Sequence, residues 1–542
     1  MTLNNKQSVT LAEIKAWHHS GRLLEAKSAY HHYLNQHPND AKVWHLLSLL
    51  CAEENEYDEA IAYLNKAITI EPNNTIFQIF LSHLYKAKGE LNKASQLLFN
   101  LTNTHPHLYA AFNNLGTIYY AQHHFQEAVM AFQSAIQIKS DFIDAYYNLG
   151  LTFNKLKRYI EASNAYSALI ALSPNHLAAH FQLGCVLMQL QKYQEAISHF
   201  LLIEAKEPHH FETKTNLATC YLHLNKIDSA KTQYIRALEL SSTDSQVLFN
   251  LGIISVQQGY YHEAIDYYLK SLQQSPNHFD AHNNIAIAYL VLKDQRAALR
   301  HFQEAHRLHP YDIAIKHTIS ILTKEENISS SPPQYVRALF DSYAPRYESH
   351  LNVSLQYQVP QSMYAAFQKV HSNQEQKIDI LDLGCGTGLC GEYFKSNANL
   401  LVGVDISENM LSIARDKNIY DQLIEEEILV YLDQSHQQFD VILAADVVVY
   451  FGNLDVLFEK IKNRLRQNGI FIFNIEKNVE KAFLMTDSGR FAHSRDYLMQ
   501  LYSHCQFEVL SCNEIAMRTQ EGSDVIGDLY LLVASSLFEK KR

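Results

Sequence analysis

Residues 378–388 read Ile-Asp-Ile-Leu-Asp-Leu-Gly-Cys-Gly-Thr-Gly, a strand, a turn and the approach to a helix in eleven residues. Ile378–Leu383 is a short apolar run with the length of a buried strand. Gly384, Gly386 and Gly388 follow. Glycine in such a turn gives the backbone positive φ and lets a ligand approach the main chain. Leu389–Lys395 then reads as a helix. The dinucleotide fingerprint G-x-G-x-x-G needs glycine at 389, where Leu389 stands. The spacing G-x-G-x-G, with Asp382 two residues earlier, points to a different cofactor.

The same alternation continues towards the C-terminus. Leu400–Val404 is the next strand and ends in Asp405, an acid at a strand tip, where it can accept from both hydroxyls of a ribose. A third strand ends near Glu425-Glu426-Glu427-Ile428. Phe439–Ala444 is the fourth and leads into Asp446. A helix over Asp455–Leu465 precedes a fifth strand at Gly469–Ile475, and Phe507–Leu510 and Asp528–Val533 complete the set. Strands alternating with helices predict a mostly parallel α/β sheet. Before it, Asn327–Gln334 (Asn-Ile-Ser-Ser-Ser-Pro-Pro-Gln) has the composition of a linker.

Upstream of that linker one period rules. Alanine recurs every 34 residues at Ala26, Ala60, Ala94, Ala128, Ala162, Ala196, Ala230, Ala264 and Ala298. Twelve residues after each comes proline or serine, as at Pro38 and Ser140. Four residues after each comes a bulky side chain, as at Tyr30, Phe132 and Tyr166. Twelve residues before stands a small residue in the later units: Gly116, Gly150, Gly184, Ala218, Gly252 and Ala286. The first three units differ, with Ile14, Ser48 and Ser82 there. Each unit reads as two antiparallel helices, the small residue admitting the second helix and proline closing the unit. No pair buries its own apolar face, so neighbours must stack into a solenoid. The expected organisation is nine units over residues 7–312, a terminal helix over 313–326, a linker over 327–334 and an α/β domain over 335–542.

Composition bounds the rest. At roughly 150 residues per domain, 542 residues imply three or four domains. Lys and Arg number 45 against 57 Asp and Glu, a net charge of −12, and residues from 335 onwards hold 19 against 28. That balance argues against a nucleic-acid partner held by its phosphates. Seven cysteines without a CxxC pair fit neither a disulfide scaffold nor a thiolate zinc site, and the 29 histidines are scattered, so no metal is expected. The first residues lack the apolar core of a signal peptide and no apolar run is long enough to span a membrane. A cytoplasmic location and no membrane partner are expected.

The 34-residue pattern resembles the tetratricopeptide repeat (TPR) family, and the resemblance implies a superhelical solenoid. Asn114, Asn148, Gln182, Asn216, Asn250 and Asn284 occupy the sixth place of six units. The resemblance puts that place on the concave face, and stacked amides can hold an extended peptide by its backbone. The row is similar to the asparagine ladder of the O-linked GlcNAc transferases and implies a protein or peptide partner. The strand–glycine–acid series of the second part resembles the class I S-adenosylmethionine-dependent methyltransferases, a Rossmann-like seven-stranded fold. Together the two parts resemble the TPR-containing methyltransferases of bacteria. The resemblance implies S-adenosylmethionine as cofactor, with Asp382, Gly384, Cys385, Gly386 and Gly388 around its amino-acid end. It further implies Asp405 and Ile406 at the ribose, Met410 beside them, and Glu427 and Ile428 near the adenine. Asp446 would face the sulfonium and the acceptor, under a lid carrying Tyr343, Arg346 and Tyr347.

In-line methyl transfer depends first on alignment, and a base is needed only where the nucleophile still holds its proton. Asp446, Tyr450, Glu476 and His493 are the candidates. The run Asp446-Val447-Val448-Val449-Tyr450 lacks the Pro-Pro-Tyr of nucleic-acid amino methyltransferases. Three functions follow: methyl transfer with the helical arm recruiting a protein or peptide, methyl transfer to a small or carrier-tethered acceptor with the arm for assembly, and an interaction scaffold with an inactive second domain.

Overall fold

The structure, a computed structural model, describes residues 9–325, 328–351, 355–371, 376–486, 488–520 and 523–535. Gln7 and Ser8 of the expected array, Glu326 of the terminal helix, Asn327 of the linker and the remaining gaps in the last domain lie outside the described residues. The chain forms two compact units, Met1–Ile254 and Ser255–Arg542. Among the described residues no helix is long and apolar enough to cross a membrane.

The first unit is a run of paired helices. Ala41–Glu53 and Tyr57–Ile70 form one pair, Tyr109–Ala121 and Phe125–Ile138 another. Three residues join the helices of each of these pairs, which forces antiparallel neighbours. The turn has one fixed device. Gly21, Asn55, Gly89, His123, Lys157, Gln191 and Asn225, each 34 residues from the last, have φ between 56° and 83°. Gly259 and Lys293 continue the series in the second unit. Only three of the nine are glycine, so most units accept the roughly 1–2 kcal/mol cost of a left-handed residue to reverse the chain.

The small-residue positions do what the period predicts. A Cβ on Gly116, Gly150 or Gly184 would lie 2.6 Å from the ring of Phe132, Tyr166 or Phe200 of the partner helix. Those rings are buried, at 0–1% exposure. Ser48 keeps the close approach another way, its hydroxyl donating to the Ala60 carbonyl at 2.7 Å.

The second unit opens with four further helices, Tyr261–Gln274, Phe279–Val291, Gln295–Leu308 and Ile313–Leu322. A nine-stranded sheet follows: β1 Ile378–Leu383, β2 Ala398–Asp405, β3 Gln422–Glu425, β4 Phe439–Ala444, β5 Leu465–Lys477, β6 Phe483–Met485, β7 Phe491–His493, β8 Phe507–Gln520 and β9 Ser523–Ala534. Strands β3-β2-β1-β4-β5 run parallel, and β9 pairs antiparallel with both β5 and β8. This is the expected Rossmann-like arrangement, so the chain is a helical solenoid followed by a mixed α/β domain. Two short strands were not anticipated. Beyond the end of β4, β7 pairs with Glu476 and Lys477 of β5, and β6 pairs with β7.

Alternation along β1 builds both faces of the core. Leu381 and Leu383 join one apolar cluster with Phe458, Phe471 and Phe473, while Ile380 joins another with Met363, Phe367 and Phe394. The linker corrects an expectation. Pro333–Tyr343 is already helix, with proline in its first turn. Just before it, Ser331 N donates to Tyr450 O, and Gly452 N and Asn453 N both donate to Ser329 O, each at 2.9 Å. Ser330 bridges Phe451 in antiparallel fashion. Serine and proline there signal the absence of helix, but the loop after β4 has free backbone donors, and the segment pairs with them.

Candidate active site

The carboxyl ends of β1, β2 and β4 open into one cavity of about 310 Å³, at the lower end of the range for small-molecule sites. Its wall includes Gly384 and Gly386 after β1, Asp405 and Ile406 after β2, Glu427 and Ile428 after β3, and Asp446 and Tyr450 after β4. The helix Pro333–Tyr343 and the turn after it add Tyr335, Leu339, Phe340, Tyr343 and Tyr347.

Asp405 ties two strand ends together. Its Oδ2 accepts from Gly386 N and its Oδ1 from Ser407 N, both at 2.9 Å. Burial pushes its carboxyl up, against the pull of these backbone donors. Gly386 has φ +54, and a Cβ there would meet nothing nearer than Tyr347, at 3.9 Å. Glu427 caps the helix Ile428–Gln434, with Oε2 accepting from Val430 N at 2.9 Å.

Asp446 stands in left-handed backbone, φ +55, fixed from two sides by Asn474. Its N–H donates to Asn474 Oδ1 at 2.8 Å, and its Oδ1 accepts from Asn474 Nδ2 at 2.6 Å. Arg490 Nη1 donates to its Oδ2 at 3.3 Å. Tyr450 packs edge-on against Phe340 of the lid, ring centres 5.6 Å apart. Burial first, and carboxylate and phenol neighbours after it, push the Tyr347 hydroxyl well above its ordinary range. Burial likewise raises Tyr450, opposed by Arg490. Both remain phenols near neutral pH. The lid is tied down at Asp341, whose Oδ1 accepts from Ser407 Oγ at 2.6 Å, and at Arg337, 2.6 Å from Glu425.

Several expected site residues stand elsewhere. Asp382 lies beneath the glycine turn, fully buried, and accepts from Tyr420 Oη at 2.6 Å. The Tyr420 ring fills the space that a Cβ on Gly388, Gly391 or Gly403 would need. Gly388 caps the helix Leu389–Phe394 and Cys385 points inward, its thiol pushed well up by burial, so it stays protonated. Met410 is core, and Arg346 is exposed outside the cavity wall. His493 is corrected most clearly. Its ring is buried, and Nε2 donates to the carbonyls of Phe451 and Gly452 at 2.9 and 3.0 Å. Burial, against those carbonyl contacts, pushes its pKa down to about 4. It is a neutral strut of β7 and not a base in the cavity. Glu476 also lies outside the wall, paired with Arg518 at 2.7 Å.

Burial pushes the Asp382 carboxyl up to about 7, with Asp405 adding to the rise and the Tyr420 hydrogen bond opposing it. An unfolded aspartate titrates near roughly 3.9. The raised folded value therefore favours the fold fully below that pH, and the contribution is lost as pH rises through 7. Asp382→Asn should flatten the fall in stability between pH 5 and 8, where one such proton contributes at most about 1.4 kcal/mol per pH unit. Urea unfolding at the two pH values reads this, and equal slopes in both proteins would remove Asp382 as the source.

Arg490 and Arg518 were not foreseen. They come from the β6–β7 turn and from β8, far apart in sequence, and no local pattern marks either. In the helical part, all six expected ladder residues are half-buried on the first helices of their pairs. Much of their hydrogen bonding is internal. Asn148 Nδ2 donates to Asn113 at 3.1 Å and Asn250 Nδ2 to Tyr234 Oη at 2.9 Å. Asn284 Nδ2 reaches Tyr268 Oη at 3.5 Å, and Asn216 Nδ2 reaches Cys185 Sγ at 3.5 Å. Cys51, Glu56 and Glu59 converge elsewhere, but Lys27 is ion-paired to both acids.

Known families meet the chain in both parts. A family model described as a methyltransferase domain matches residues 381–473. Tetratricopeptide repeat models match 143–176, 177–202, 211–244 and 245–278, and the TPR domain of cytochrome c-type biogenesis protein H matches 27–141. The chain thus joins tetratricopeptide repeats to a methyltransferase domain. A putative methyltransferase of a Geobacillus strain is 28% identical over 159 residues, 28% of this chain and 62% of that protein. The ubiquinone biosynthesis O-methyltransferase of Glaesserella parasuis is 25% identical over 114 residues, 20% of this chain and 48% of that protein. The chain therefore spans about half the length of these curated relatives. A solved tetratricopeptide repeat protein from Parabacteroides merdae is similar at 21% identity and a TM-score of 0.35, over 45% of this chain and 97% of that one.

Proposed function

We infer that the chain transfers the methyl group of S-adenosylmethionine to a small or carrier-tethered acceptor in the cavity beneath the Pro333–Tyr343 helix. The observation that carries this is the bond from Gly386 N to Asp405, which sets an open, Cβ-free turn against a buried acid at adjacent strand ends. Gly386 N and Ser407 N reach one Asp405 oxygen each, and a carboxylate has about four acceptor sites, so it has capacity left for a ribose hydroxyl. The residues present therefore fit the cofactor. When bound, it supplies an electrophilic methyl group on a sulfonium. The chain's own part is to hold and enclose. Tyr343, Tyr347 and Phe340 cover the cavity, Glu427 closes its β3 side, and Asp446 is locked in one orientation by Asn474. Such alignment contributes up to roughly 7–11 kcal/mol to a bimolecular displacement.

The reading in which the acceptor is small is favoured by the aromatic enclosure of the cavity. The helical arm is proposed to recruit a protein or peptide partner, such as the carrier of the acceptor, raising its effective concentration. The internal bond of Asn148 uses its Nδ2 and leaves its carbonyl arm for a peptide, whereas Asn250 Oδ1 already accepts from Gln246 Nε2 at 3.2 Å and would have to share. Calorimetric titration of S-adenosylmethionine into the whole chain is the test. Asp405→Ala should weaken binding by on the order of a hundredfold, the loss of two charge-assisted hydrogen bonds. A folded wild-type chain that binds no cofactor would leave the scaffold reading in its place.

A further inference from the structure

Tyrosine, phenylalanine, leucine, isoleucine and valine make up most of the cavity wall, and Arg490 is the one Lys or Arg among its described residues. A tight turn presents it. Thr486 N and Oγ1 both donate to Arg490 O, at 2.7 and 3.0 Å, and Gly489, with φ +74, precedes it. The position is backed by a four-residue network. Arg518, 7% exposed, donates from Nη2 to Glu476 Oε1 at 2.7 Å. Glu476 also receives Arg490 Nη1 at 3.5 Å, and Asp446 receives the same nitrogen at 3.3 Å.

These distances are unequal in a way that matters. Charge-assisted N–H···O bonds close to about 2.7–2.9 Å when each partner has the other to itself. Arg518 has that with Glu476, whereas Arg490 has the long remainder of two acids that already bond other groups, and beside them only the neutral hydroxyl of Tyr450. Both of its acid contacts use Nη1, and no other nitrogen of its fork bonds a carboxylate among the described residues. Arg518 Nη1 is also buried without a hydrogen-bond partner. A guanidinium facing an apolar cavity with incomplete partners is costly unless a ligand completes them. Its flat fork matches a carboxylate. An ammonium acceptor would meet like charge at the same place.

We propose that Arg490 binds the carboxylate of the methyl acceptor, and that the acceptor is a carboxylic acid with an apolar body. The body lies against Tyr335, Leu339, Phe340 and Phe451 of the wall. Arg490 is thus a specificity residue, with Arg518 and Glu476 positioning it. This deepens the methyltransferase reading and rests on it.

The test is calorimetry on the whole chain, first with S-adenosylhomocysteine and then, on the loaded protein, with benzoate, 3-phenylpropionate and octanoate beside their primary amides. At least one acid should bind on the order of ten- to a hundredfold more tightly than its amide, the value of a hydrogen bond to a charged group. Arg490→Gln should abolish that preference, and Arg490→Lys should keep part of it, each measured on protein saturated with S-adenosylhomocysteine. Should Arg490→Gln not fold, the acid-to-amide ratio in the wild type and in Arg490→Lys still decides. Acids binding no better than amides, or no acid binding at millimolar concentration, would overturn the proposal. Loss of S-adenosylhomocysteine binding by the wild type is a separate failure, that of the methyltransferase reading, and the acids are then titrated into the unloaded chain.

Discussion

Gly384→Ala should unfold at clearly lower denaturant concentration than Gly386→Ala, although the two glycines are two residues apart in one turn. Both have positive φ, +63 and +54, so both variants bear the roughly 1–2 kcal/mol cost of a left-handed alanine. They differ in what the new methyl meets. At Gly384 it would lie 2.4 Å from Val447 Cγ2, inside the core between β1 and the loop after β4. Displacing that contact adds roughly 1–3 kcal/mol. At Gly386 the methyl projects into the cavity, with Tyr347 at 3.9 Å. The cofactor should report the opposite order relative to stability: Gly386→Ala stays folded yet loses S-adenosylmethionine affinity by at least tenfold. Urea midpoints and calorimetry on the two purified variants read both quantities. Equal midpoints would contradict the packing asymmetry.

Tyr166→Ala should cost roughly 3–5 kcal/mol, the usual loss for a large aromatic removed from a closed core. The ring is fully buried and lies where a Cβ on Gly150 would be. The hydroxyl tells a different story. It is buried without a hydrogen-bond partner, and burial pushes its pKa strongly up. Phe132 and Phe200 hold the same place in the flanking units. Tyr166→Phe should therefore be neutral or stabilising by up to about 1–2 kcal/mol, since it removes an unpaid polar group. Tyr234 provides the contrast. Its hydroxyl bonds Thr219 and Asn250, both at 2.9 Å, so Tyr234→Phe should destabilise by about 1 kcal/mol. Opposite signs for the two Tyr→Phe changes, read by denaturant unfolding and by hydrogen exchange in Tyr159–Leu172, are the expected result. A loss at both positions would sink it.

These contrasts also mark what a linear chain reveals of itself. The 34-residue period was legible because each unit repeats the same contact, Gly150 to Tyr166 and its equivalents. The left-handed turn was not, since His123, Lys157, Gln191 and Lys293 are chosen for no property of their side chains; the three-residue connection imposes the conformation. Asp405 and Gly386 were legible as strand-tip residues because the need for them is local. Tyr420, Arg490 and Arg518 were not, because each acts on residues more than a dozen positions away. His493 misled for the same reason. A histidine at a strand end resembles a base until the strand's alternation turns it inward to two carbonyls. The serine–proline segment at 328–332 misled because composition reports what a segment lacks, not which backbone groups elsewhere await it.

That segment has a consequence for how such a chain is inherited. Ser329 and Ser331 cover backbone groups of Tyr450, Gly452 and Asn453, and Ser330 and Ser331 are part of the cavity wall. A gene fusion that joined a foreign arm at Tyr335 would strip the methyltransferase domain of a piece of itself. The natural place for shuffling is farther upstream, between repeats of one fixed length, where units can be gained or lost in register.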